Sequence, residues 1–377
     1  MAGLYVHIPF CKQACYYCDF HFSTNQENRD KIVHAIGTEI NLQKEYLRGE
    51  EIQTVYFGGG TPSLLSHREL SFILHAIHKT LSLSPTPEVT LEANPDDLTK
   101  EKLRDLKEAG INRLSIGIQS FDDVILKSLN RAHNAEMAKR CVHNAQEAGF
   151  NNLSLDLIYA MPQQDDIIWK KNIDEVLTLR PQHISSYALT IEEKTVYGRW
   201  AAQGKIRAVE DDLAAMQLQL LVDTLEKESY EQYEVSNFSQ PGFQSQHNSN
   251  YWKDKKYLGV GPSAHSYNGV SRQYNISNNH IYLNSIADQK IPATLEILTR
   301  EDKINEYLLT TLRTSWGANL AKLRQEFAFD LAADHREYII SLQESKLATL
   351  ENETLVLTKA GKLLADKIAS DLFVLTS

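Results

Sequence analysis

Two adjoining segments, Leu4-Tyr-Val-His-Ile8 and Cys11-Lys-Gln-Ala-Cys15-Tyr-Tyr-Cys18, decide how the rest of the chain is interpreted. The first is rich in residues that favour β-strands, and the second is a loop with the cysteine spacing C-x3-C-x2-C. Three thiolates on one loop can bind three irons of a [4Fe–4S] cube and leave the fourth iron open to an external ligand. The alternatives are a zinc site completed by His7 or His21, and three unligated thiols.

Short β-rich segments alternate with helical patterns through the first 230 residues. The predicted strands cover residues 4–8, 54–57, 88–92, 113–118, 152–158 and 183–189, and a helical pattern follows each of them. Strands joined by crossover helices form a parallel sheet, either open and doubly wound or closed part of the way into a barrel. Both architectures place ligands at the C-terminal strand ends, where the cysteine loop and the later polar motifs lie. We favour the partial (β/α)6 barrel.

The character of the sequence changes after about residue 230. Residues 240–282 are rich in Asn, Ser, Gly and Tyr and show little helical periodicity. Helical patterns at 303–314, 320–327 and 334–344 precede a strand pair, 348–350 with 355–357, and a last helix at 359–372. We therefore predict an α/β barrel domain over residues 1–230, a connecting segment over 231–298, and a small winged-helix-like α+β domain over 299–377.

Composition excludes several classes of protein. The 377 residues are 42% hydrophobic and 23% charged, as in ordinary globular proteins. The net charge of −10 argues against a nucleic-acid partner, including for the winged-helix-like region. Crowded cysteines indicate a reducing compartment rather than a disulfide framework. With no signal-peptide pattern and no apolar run of about 20 residues, we expect a cytoplasmic protein without a transmembrane segment.

The segment Tyr5-Val-His-Ile-Pro-Phe-Cys11, continued by Cys15, Tyr17 and Cys18, resembles the cluster loop of radical S-adenosylmethionine (SAM) enzymes. More narrowly, it is similar to the oxygen-independent coproporphyrinogen III dehydrogenases (HemN) and their relatives, the HemW heme chaperones. The resemblance extends over most of the chain and implies a partial barrel of the radical SAM type. It also implies that the three cysteines hold a [4Fe–4S] cluster whose open iron is chelated by SAM.

Later motifs follow successive predicted strands in the order that this resemblance requires. The run Gly58-Gly-Gly-Thr-Pro62 comes after the second strand, and glycines let a backbone approach a ligand closely. Taken singly, each polar residue in these motifs is more often a helix cap or a solvated side chain. The resemblance implies the following contacts with SAM: Tyr5, Tyr17, Gly59, Gly60, Thr61, Glu92, Gln119, Arg131, Asp156 and Ala188.

The segment His247-Asn-Ser-Asn-Tyr251-Trp252 resembles the HNxxYW signature that separates the heme chaperones from the dehydrogenases. Imidazole suits axial ligation of heme iron, and aromatic rings suit stacking on a porphyrin. The alternative is that His247 and Asn248 cap a turn while Tyr251 and Trp252 pack in the core. His7 is a further candidate for a heme ligand.

Three departures distinguish this sequence from the dehydrogenases. The dehydrogenases carry an extension ahead of the cluster loop and usually another cysteine just after it, whereas here Tyr5 is almost the first residue and Asp19 and Phe20 follow Cys18. His265 stands where an apolar residue of the dehydrogenases takes part in binding a second SAM. His265 is therefore a candidate both for a cofactor contact and for a heme ligand.

The resemblance implies a heme chaperone that binds heme, a [4Fe–4S] cluster and SAM and transfers heme to acceptor hemoproteins. The alternatives are an oxygen-independent coproporphyrinogen III dehydrogenase, a radical enzyme with another substrate, and a metal-binding module with a DNA-reading domain. No catalytic residue is assigned. Further partners to test are a second copy of the chain, forming a homodimer, and a membrane-associated acceptor.

Overall fold

The computed structural model describes residues 1–374, so the last three residues of the predicted C-terminal region lie outside the described part. All six predicted strands are present in the first half of the chain. They are β1 (Ala2–Ile8), β2 (Ile52–Gly59), β3 (Leu83–Ala93), β4 (Arg113–Gln119), β5 (Leu153–Tyr159) and β6 (His183–Ala188). The helices of this half are α1 (Arg29–Leu42), α2 (His67–Thr80), α3 (Lys100–Glu108), α4 (Asp123–Ser128), α5 (Ala135–Glu147), α6 (Asp166–Leu179), α7 (Val196–Ala202) and α8 (Asp211–Lys227).

Strands β1 to β6 pair in parallel and in chain order. A doubly wound sheet would instead reverse its strand order partway through the chain. The predicted partial (β/α)6 barrel is therefore confirmed, and its sheet is open rather than closed. The outward side chains of β1, Leu4, Val6 and Ile8, are buried in the main core, whereas Tyr5 and His7 lie on the opposite, inner face.

Residues 231–298 extend this sheet at both of its edges. The elements are β7 (Glu231–Glu234), β8 (Asn237–Ser239), α9 (Gln246–Trp252), β9 (Tyr257–Val260), β10 (His265–Tyr267), β11 (Ser271–Asn275), α10 (Asn279–Ala287) and β12 (Ala293–Ile297). Strands β8 and β7 continue the sheet beyond β6, while β9 to β12 continue it beyond β1. These strands and helices are too short to produce a clear periodic signal, so the sequence did not reveal them.

The C-terminal region is a small α+β domain with its own apolar core. Its elements are α11 (Arg300–Leu312), β13 (Ala318–Asn319), α12 (Leu320–Phe327), α13 (Leu331–Asp334), α14 (Arg336–Glu344), β14 (Ala348–Glu351), β15 (Thr354–Leu357), α15 (Lys359–Lys362) and α16 (Ala365–Asp371). The predicted single helix over 359–372 is wrong. The Leu364 N–H bonds to the Gly361 carbonyl three residues back, and this tighter turn ends α15.

None of the helices in residues 1–374 combines the length and the apolar character that are needed to cross a bilayer.

A buried carboxylate joins α1 to the added strands and to α10. Glu39 is fully buried and accepts hydrogen bonds from the Gly261 N–H at 2.7 Å, the Tyr282 hydroxyl at 2.5 Å, the Asn275 amide at 2.6 Å and the Gln43 amide at 2.8 Å. Burial raises the pKa of the Glu39 carboxyl, and the four donors oppose that shift. Four donors in a dry site make Glu39 the polar link that holds residues 261–282 to α1.

We expect Glu39→Ala to destabilise the protein by about 3 kcal/mol or more, because it leaves buried donors without a partner. Glu39→Gln should be intermediate, since an amide accepts through one oxygen but turns its NH2 group toward donors. Urea unfolding followed by circular dichroism measures both changes. Glu45→Ala, at an exposed site just beyond α1, is the control. Equal stability of Glu39→Ala and the wild type would contradict the assigned role.

Candidate functional site

The cluster loop, residues 9–23, leaves the end of β1 and returns to it. The Cys11 N–H donates to the Ser23 carbonyl at 3.1 Å, and the Ser23 N–H donates to the Pro9 carbonyl at 2.9 Å. The loop is thus closed at its base by backbone hydrogen bonds. Cys11, Cys15 and Cys18 are unpaired and partly exposed on it. This placement brings all three thiols to the C-terminal mouth of the barrel.

Polar side chains from the barrel already point at two of the three sulfurs. The Thr61 hydroxyl donates to Cys11 Sγ at 3.3 Å, and Arg131 Nη1 donates to Cys15 Sγ at 3.4 Å. Burial raises the pKa of the Cys11 thiol to about 11 and that of Cys18 to about 12, so these thiols are protonated in the metal-free chain. Iron would replace those protons, and three soft thiolates with supporting donors fit an iron–sulfur cluster.

The histidines expected for a zinc site are engaged elsewhere. His7 hydrogen-bonds with the Tyr5 hydroxyl through Nδ1 at 3.2 Å and with the His21 carbonyl through Nε2 at 2.9 Å, while His21 Nε2 lies 2.8 Å from Asn279 Oδ1. Over residues 1–374, no three His, Cys, Asp or Glu side chains converge on one point as a mononuclear metal site. A cubane cluster presents a separate iron to each thiolate, so the geometry favours the cluster over zinc.

The glycine run at the end of β2 is required by the close approach of β1 and of the cluster loop. A Cβ on Gly59, whose φ is 105°, would lie 2.6 Å from the His7 ring, and one on Gly60 would lie 2.6 Å from the Phe10 carbonyl oxygen. The Gly60 N–H also donates to the Ile8 carbonyl at 2.9 Å. The run therefore seats β2 against the loop, and contact of Gly59, Gly60 and Thr61 with SAM stays a prediction.

Two predicted carboxylates face the interior of the barrel. Glu92 accepts a hydrogen bond from the Tyr56 hydroxyl at 2.8 Å, and Asp156 accepts one from the Ser115 hydroxyl at 3.1 Å. Burial raises the pKa of Glu92 to about 7, with a further contribution from the charge of Asp156, and burial raises the pKa of Asp156 to about 6. A partly buried acidic pair of this kind is stabilised by a bound cation or by hydroxyl donors.

Arg131 and Gln119 lie near the same mouth. Arg131 Nη2 donates to Asn94 Oδ1 at 2.6 Å and to the Gly117 carbonyl at 2.7 Å, while its Nη1 reaches the cluster loop. Gln119 ends β4 with a φ of 65°, a strained conformation for a residue other than glycine. A Cβ on Gly117 would lie 2.9 Å from Gln119 Nε2 and 3.3 Å from Arg131 Nη2, so the two side chains lie next to each other beside β4.

The remaining predicted cofactor contacts are more dispersed. Tyr17 is half-buried beside Cys15 and Arg131, and desolvation raises the pKa of its hydroxyl. The Tyr5 ring stacks on Tyr56, with centroids 6.1 Å apart. Ala188, by contrast, is exposed at the end of β6. The structure brings Tyr5 and Tyr17 to the site but shows no described side chain of the site in hydrogen-bond contact with Ala188.

Helix α9 carries the HNxxYW segment, and a carboxylate of β3 fixes its start. Glu88 accepts hydrogen bonds from the Gln246 N–H at 3.1 Å and the His247 N–H at 3.0 Å. The hydroxyl of Ser245 is the N-cap and accepts from the Asn248 N–H. The alternative in which His247 and Asn248 cap a turn is therefore not what the structure shows.

The His247 side chain is enclosed by the barrel and is only 1% exposed. Its Nδ1 lies 2.8 Å from Thr54 Oγ1, its Nε2 lies 2.8 Å from the Tyr251 hydroxyl, and its ring stacks on Tyr56 at 5.0 Å. Burial, together with the charge of Arg113, lowers the pKa of His247 to about 3. Both ring nitrogens are occupied, so in this conformation His247 has no free nitrogen for an iron.

An open cavity of about 510 Å³ lies between the cluster loop, strands β9 to β11 and helix α11. Its size falls within the usual range for small-molecule sites. Of the residues considered as heme ligands, His7, His265, Tyr251 and Trp252 line it and His247 does not. Its walls are mainly aromatic and include Tyr5, Phe20, Tyr251, Trp252, Tyr257 and Tyr267.

His265 offers an unused imidazole to this cavity. It opens β10, lies opposite Tyr274 of β11 in the strand register, and stacks on that ring with centroids 5.6 Å apart. Its side chain is exposed, and neither ring nitrogen hydrogen-bonds to any residue in the described chain. His265 thus combines a fixed ring plane with a free nitrogen.

Sequence reasoning missed several of the residues that line the cavity, among them Tyr257, Tyr267, Arg272 and Glu306. The tyrosine-rich composition of residues 240–282 was visible, but the pairing of β9, β10 and β11 that aligns these side chains was not. Glu306 comes from α11 of the C-terminal domain, a contact between distant parts of the chain that no local pattern predicts.

Comparison with known proteins agrees with this architecture. Residues 5–175 match the family model of the radical SAM superfamily, and residues 298–364 match that of the HemN C-terminal domain. The solved structure of coproporphyrinogen III oxidase (HemN) from Escherichia coli superposes with a TM-score of 0.84 over 99% of this chain and 90% of that chain, at 23% identity. This likeness shows that the two proteins share a fold.

Relatives of higher identity include several proteins named heme chaperone HemW. The heme chaperone HemW of Bacillus subtilis is 33% identical over 372 residues, which is 98% of each chain. That of Lactococcus lactis is 34% identical over 366 residues, 97% of this chain and 95% of that one. That of Escherichia coli is 37% identical over 270 residues, 70% and 69% of the two chains. The chain therefore belongs to the HemW family of the radical SAM superfamily.

Proposed function

We propose that this protein is a heme chaperone that binds heme in the aromatic cavity, holds a [4Fe–4S] cluster and SAM at the neighbouring barrel mouth, and transfers heme to acceptor hemoproteins. The observation that carries the proposal is the aromatic cavity with His265 at its wall. The relatives of this chain that are named heme chaperone HemW support the same conclusion.

The cavity has the chemistry that a porphyrin requires. A flat, largely apolar macrocycle gains from aromatic walls, and five tyrosines, one tryptophan and one phenylalanine line the cavity here. The cavity is open to solvent beside Phe20, whose side chain is 73% exposed. An open entrance suits a protein that must release its ligand to another protein rather than keep it.

We assign the iron ligand to His265 among the three candidate histidines. His7 also lines the cavity, but both of its nitrogens are hydrogen-bonded. His247 is enclosed by Thr54 and Tyr251. In this proposal the HNxxYW segment contributes Tyr251 and Trp252 to the heme cavity, while its histidine holds the helix in place.

The residues at the barrel mouth fit the cofactors that the radical SAM family implies. Cys11, Cys15 and Cys18 would hold the cluster, which when bound supplies one electron for the cleavage of SAM. Glu92 and Asp156 would receive the hydroxyl or ammonium groups of SAM, and the buried Arg131 would orient its carboxylate. The same Arg131 contacts Cys15, so a single side chain serves both groups.

We expect His265→Ala to bind heme at least about tenfold more weakly than the wild type and to shift its Soret band, because the axial ligand is lost. Absorption titration of the purified protein with heme measures both effects. His247→Ala should keep the Soret position but unfold at a lower temperature, because the Thr54 and Tyr251 hydroxyls lose their buried partner. His143→Ala, at an exposed site on α5, is the control.

A shifted Soret band in heme-bound His247→Ala, together with a wild-type band in heme-bound His265→Ala, would contradict this ligand assignment. If the wild type retains no heme and instead decarboxylates coproporphyrinogen III anaerobically, the dehydrogenase alternative replaces the proposal.

We expect Cys11→Ser, Cys15→Ser and Cys18→Ser each to lose the cluster, since serine is a poor ligand for iron in this setting. Iron and labile-sulfide analysis after anaerobic reconstitution measures the loss. Heme binding should persist in all three variants, because the cavity wall is formed mainly by other elements. Cys141→Ser is the matched control, as Cys141 is buried in α5. Labile sulfide retained in the triple variant would contradict the assignment.

A further inference from the structure

We propose that Arg272 binds a carboxylate of the porphyrin, and that the incoming carboxylate takes Arg272 from Glu306, its partner in the free protein. This inference deepens the proposed function and rests on it. Heme carries two propionate groups, and the cavity must recognise them if the porphyrin is to enter in one orientation. Arg272 and Glu306 both line the cavity, one from the sheet extension and one from the C-terminal domain.

Backbone pairing and an aromatic neighbour in the sheet hold Arg272 in place. It lies opposite Tyr267 of β10 and Glu296 of β12 in the strand register, and its guanidinium group lies over the Tyr267 ring at 5.5 Å from the centroid. Backbone pairing on both sides and stacking on an aromatic face pre-organise the guanidinium, so little entropy is lost when it binds a second partner.

The guanidinium has donors to spare. Its Nη2 donates to Glu306 Oε2 at 2.8 Å. Its Nε lies 2.8 Å from Glu306 Oε1, so both oxygens of Glu306 lie against one edge of the guanidinium, while Nη1 has no hydrogen-bond partner in the described chain. Arginine has five N–H donors and prefers bidentate carboxylate partners. Glu306 therefore occupies the Nε–Nη2 edge and leaves Nη1 available, so a carboxylate of the porphyrin can bind at Nη1 and then replace Glu306.

The other charged groups of the cavity make Arg272 the most suitable anchor. Asp254 also lines the cavity. It accepts a hydrogen bond from the Tyr267 hydroxyl at 2.7 Å and lies 3.7 Å from Lys322 Nζ, so its negative charge already has a partner. Lys255 also lines the cavity, but a lysine is a point charge without the bidentate fork.

The iron ligand and the carboxylate anchor are suitably separated on one surface. His265 and Arg272 lie on the same face of the β10–β11 pair, diagonally offset because Tyr267 is the residue opposite Arg272. Diagonal neighbours in such a pair are about 7–8 Å apart. A ligand whose metal and carboxylates lie at different points, as in heme, can reach both residues at once.

The exchange has a consequence for the C-terminal domain. Glu306 belongs to α11, so its release removes one of the ion pairs between that domain and the sheet. Other pairs remain, including Arg313 with Glu234 at 3.1 Å, so the domain stays attached. Because Glu306 and the porphyrin carboxylate compete for the same guanidinium, removing Glu306 should strengthen heme binding.

Titration of the full-length protein with heme and with heme dimethyl ester, which lacks free carboxylates, tests this inference. We expect the wild type to bind heme about tenfold or more tightly than the ester, as a charge-assisted hydrogen bond predicts. Arg272→Gln should weaken heme binding by about the same factor and leave the ester unchanged, so that the preference disappears. Glu306→Gln should bind heme more tightly than the wild type does.

The controls are Arg324→Gln and Glu353→Gln, which break an ion pair away from the cavity whose arginine matches Arg272 in exposure: Arg324 is 34% exposed and Arg272 33%. An unchanged preference for heme over the ester in Arg272→Gln, or unchanged heme affinity in Glu306→Gln, overturns the inference while heme binding stands. Failure of the wild type to bind either compound overturns the proposed function itself. Misfolding would lower the affinity for heme, so it cannot produce the gain in heme affinity that we expect for Glu306→Gln.

Discussion

Strand β1 pairs with β2 on one side and with β9 on the other, and both functional regions depend on this double pairing. Tyr5 lies opposite Tyr56 of β2 and Gly259 of β9 in the register. The C-terminal end of the strand leads into the cluster loop, while its inner face contributes Tyr5 and His7 to the aromatic cavity. A single strand thus sets the spatial relation between the cysteines and the cavity.

A chain of buried polar contacts links the same two regions across the barrel interior. Tyr56 donates to Glu92 near the cofactor site and stacks on both Tyr5 and His247. His247 in turn contacts Tyr251, which lines the cavity. Buried networks of this kind are stable only when each polar group has a partner, so they hold their members in one arrangement. This arrangement gives the cavity wall a fixed position relative to the barrel mouth.

The sequence was sufficient for the barrel and the cluster loop because their signals are local. Each strand of the barrel is a compact run of β-favouring residues, and the three cysteines lie within one short loop. The cavity could not be predicted in the same way. It depends on short strands such as β10 and on pairing between Arg272 and Glu306, which are 34 residues apart and belong to different domains.

The structure assigns Gly59, Gly60 and His247 physical roles that differ from those that the resemblance implied. Gly59 and Gly60 are required by contact with His7 and Phe10, independently of any ligand. His247 was considered as an iron ligand, but its environment shows a neutral, fully hydrogen-bonded imidazole. In both cases the sequence identified positions of importance, while the three-dimensional contacts were needed to give the reason.

The central claim is that heme iron binds His265 in the cavity beside the cluster loop. Anomalous scattering at the iron edge, from crystals of the cluster-free Cys11→Ser, Cys15→Ser and Cys18→Ser triple variant grown with heme, tests it most directly. Heme is then the iron source, so we expect a single iron peak within bonding distance of a His265 ring nitrogen. An iron peak elsewhere, for instance in the groove lined by His34 of α1 and His280 of α10, with none in the cavity, would contradict it.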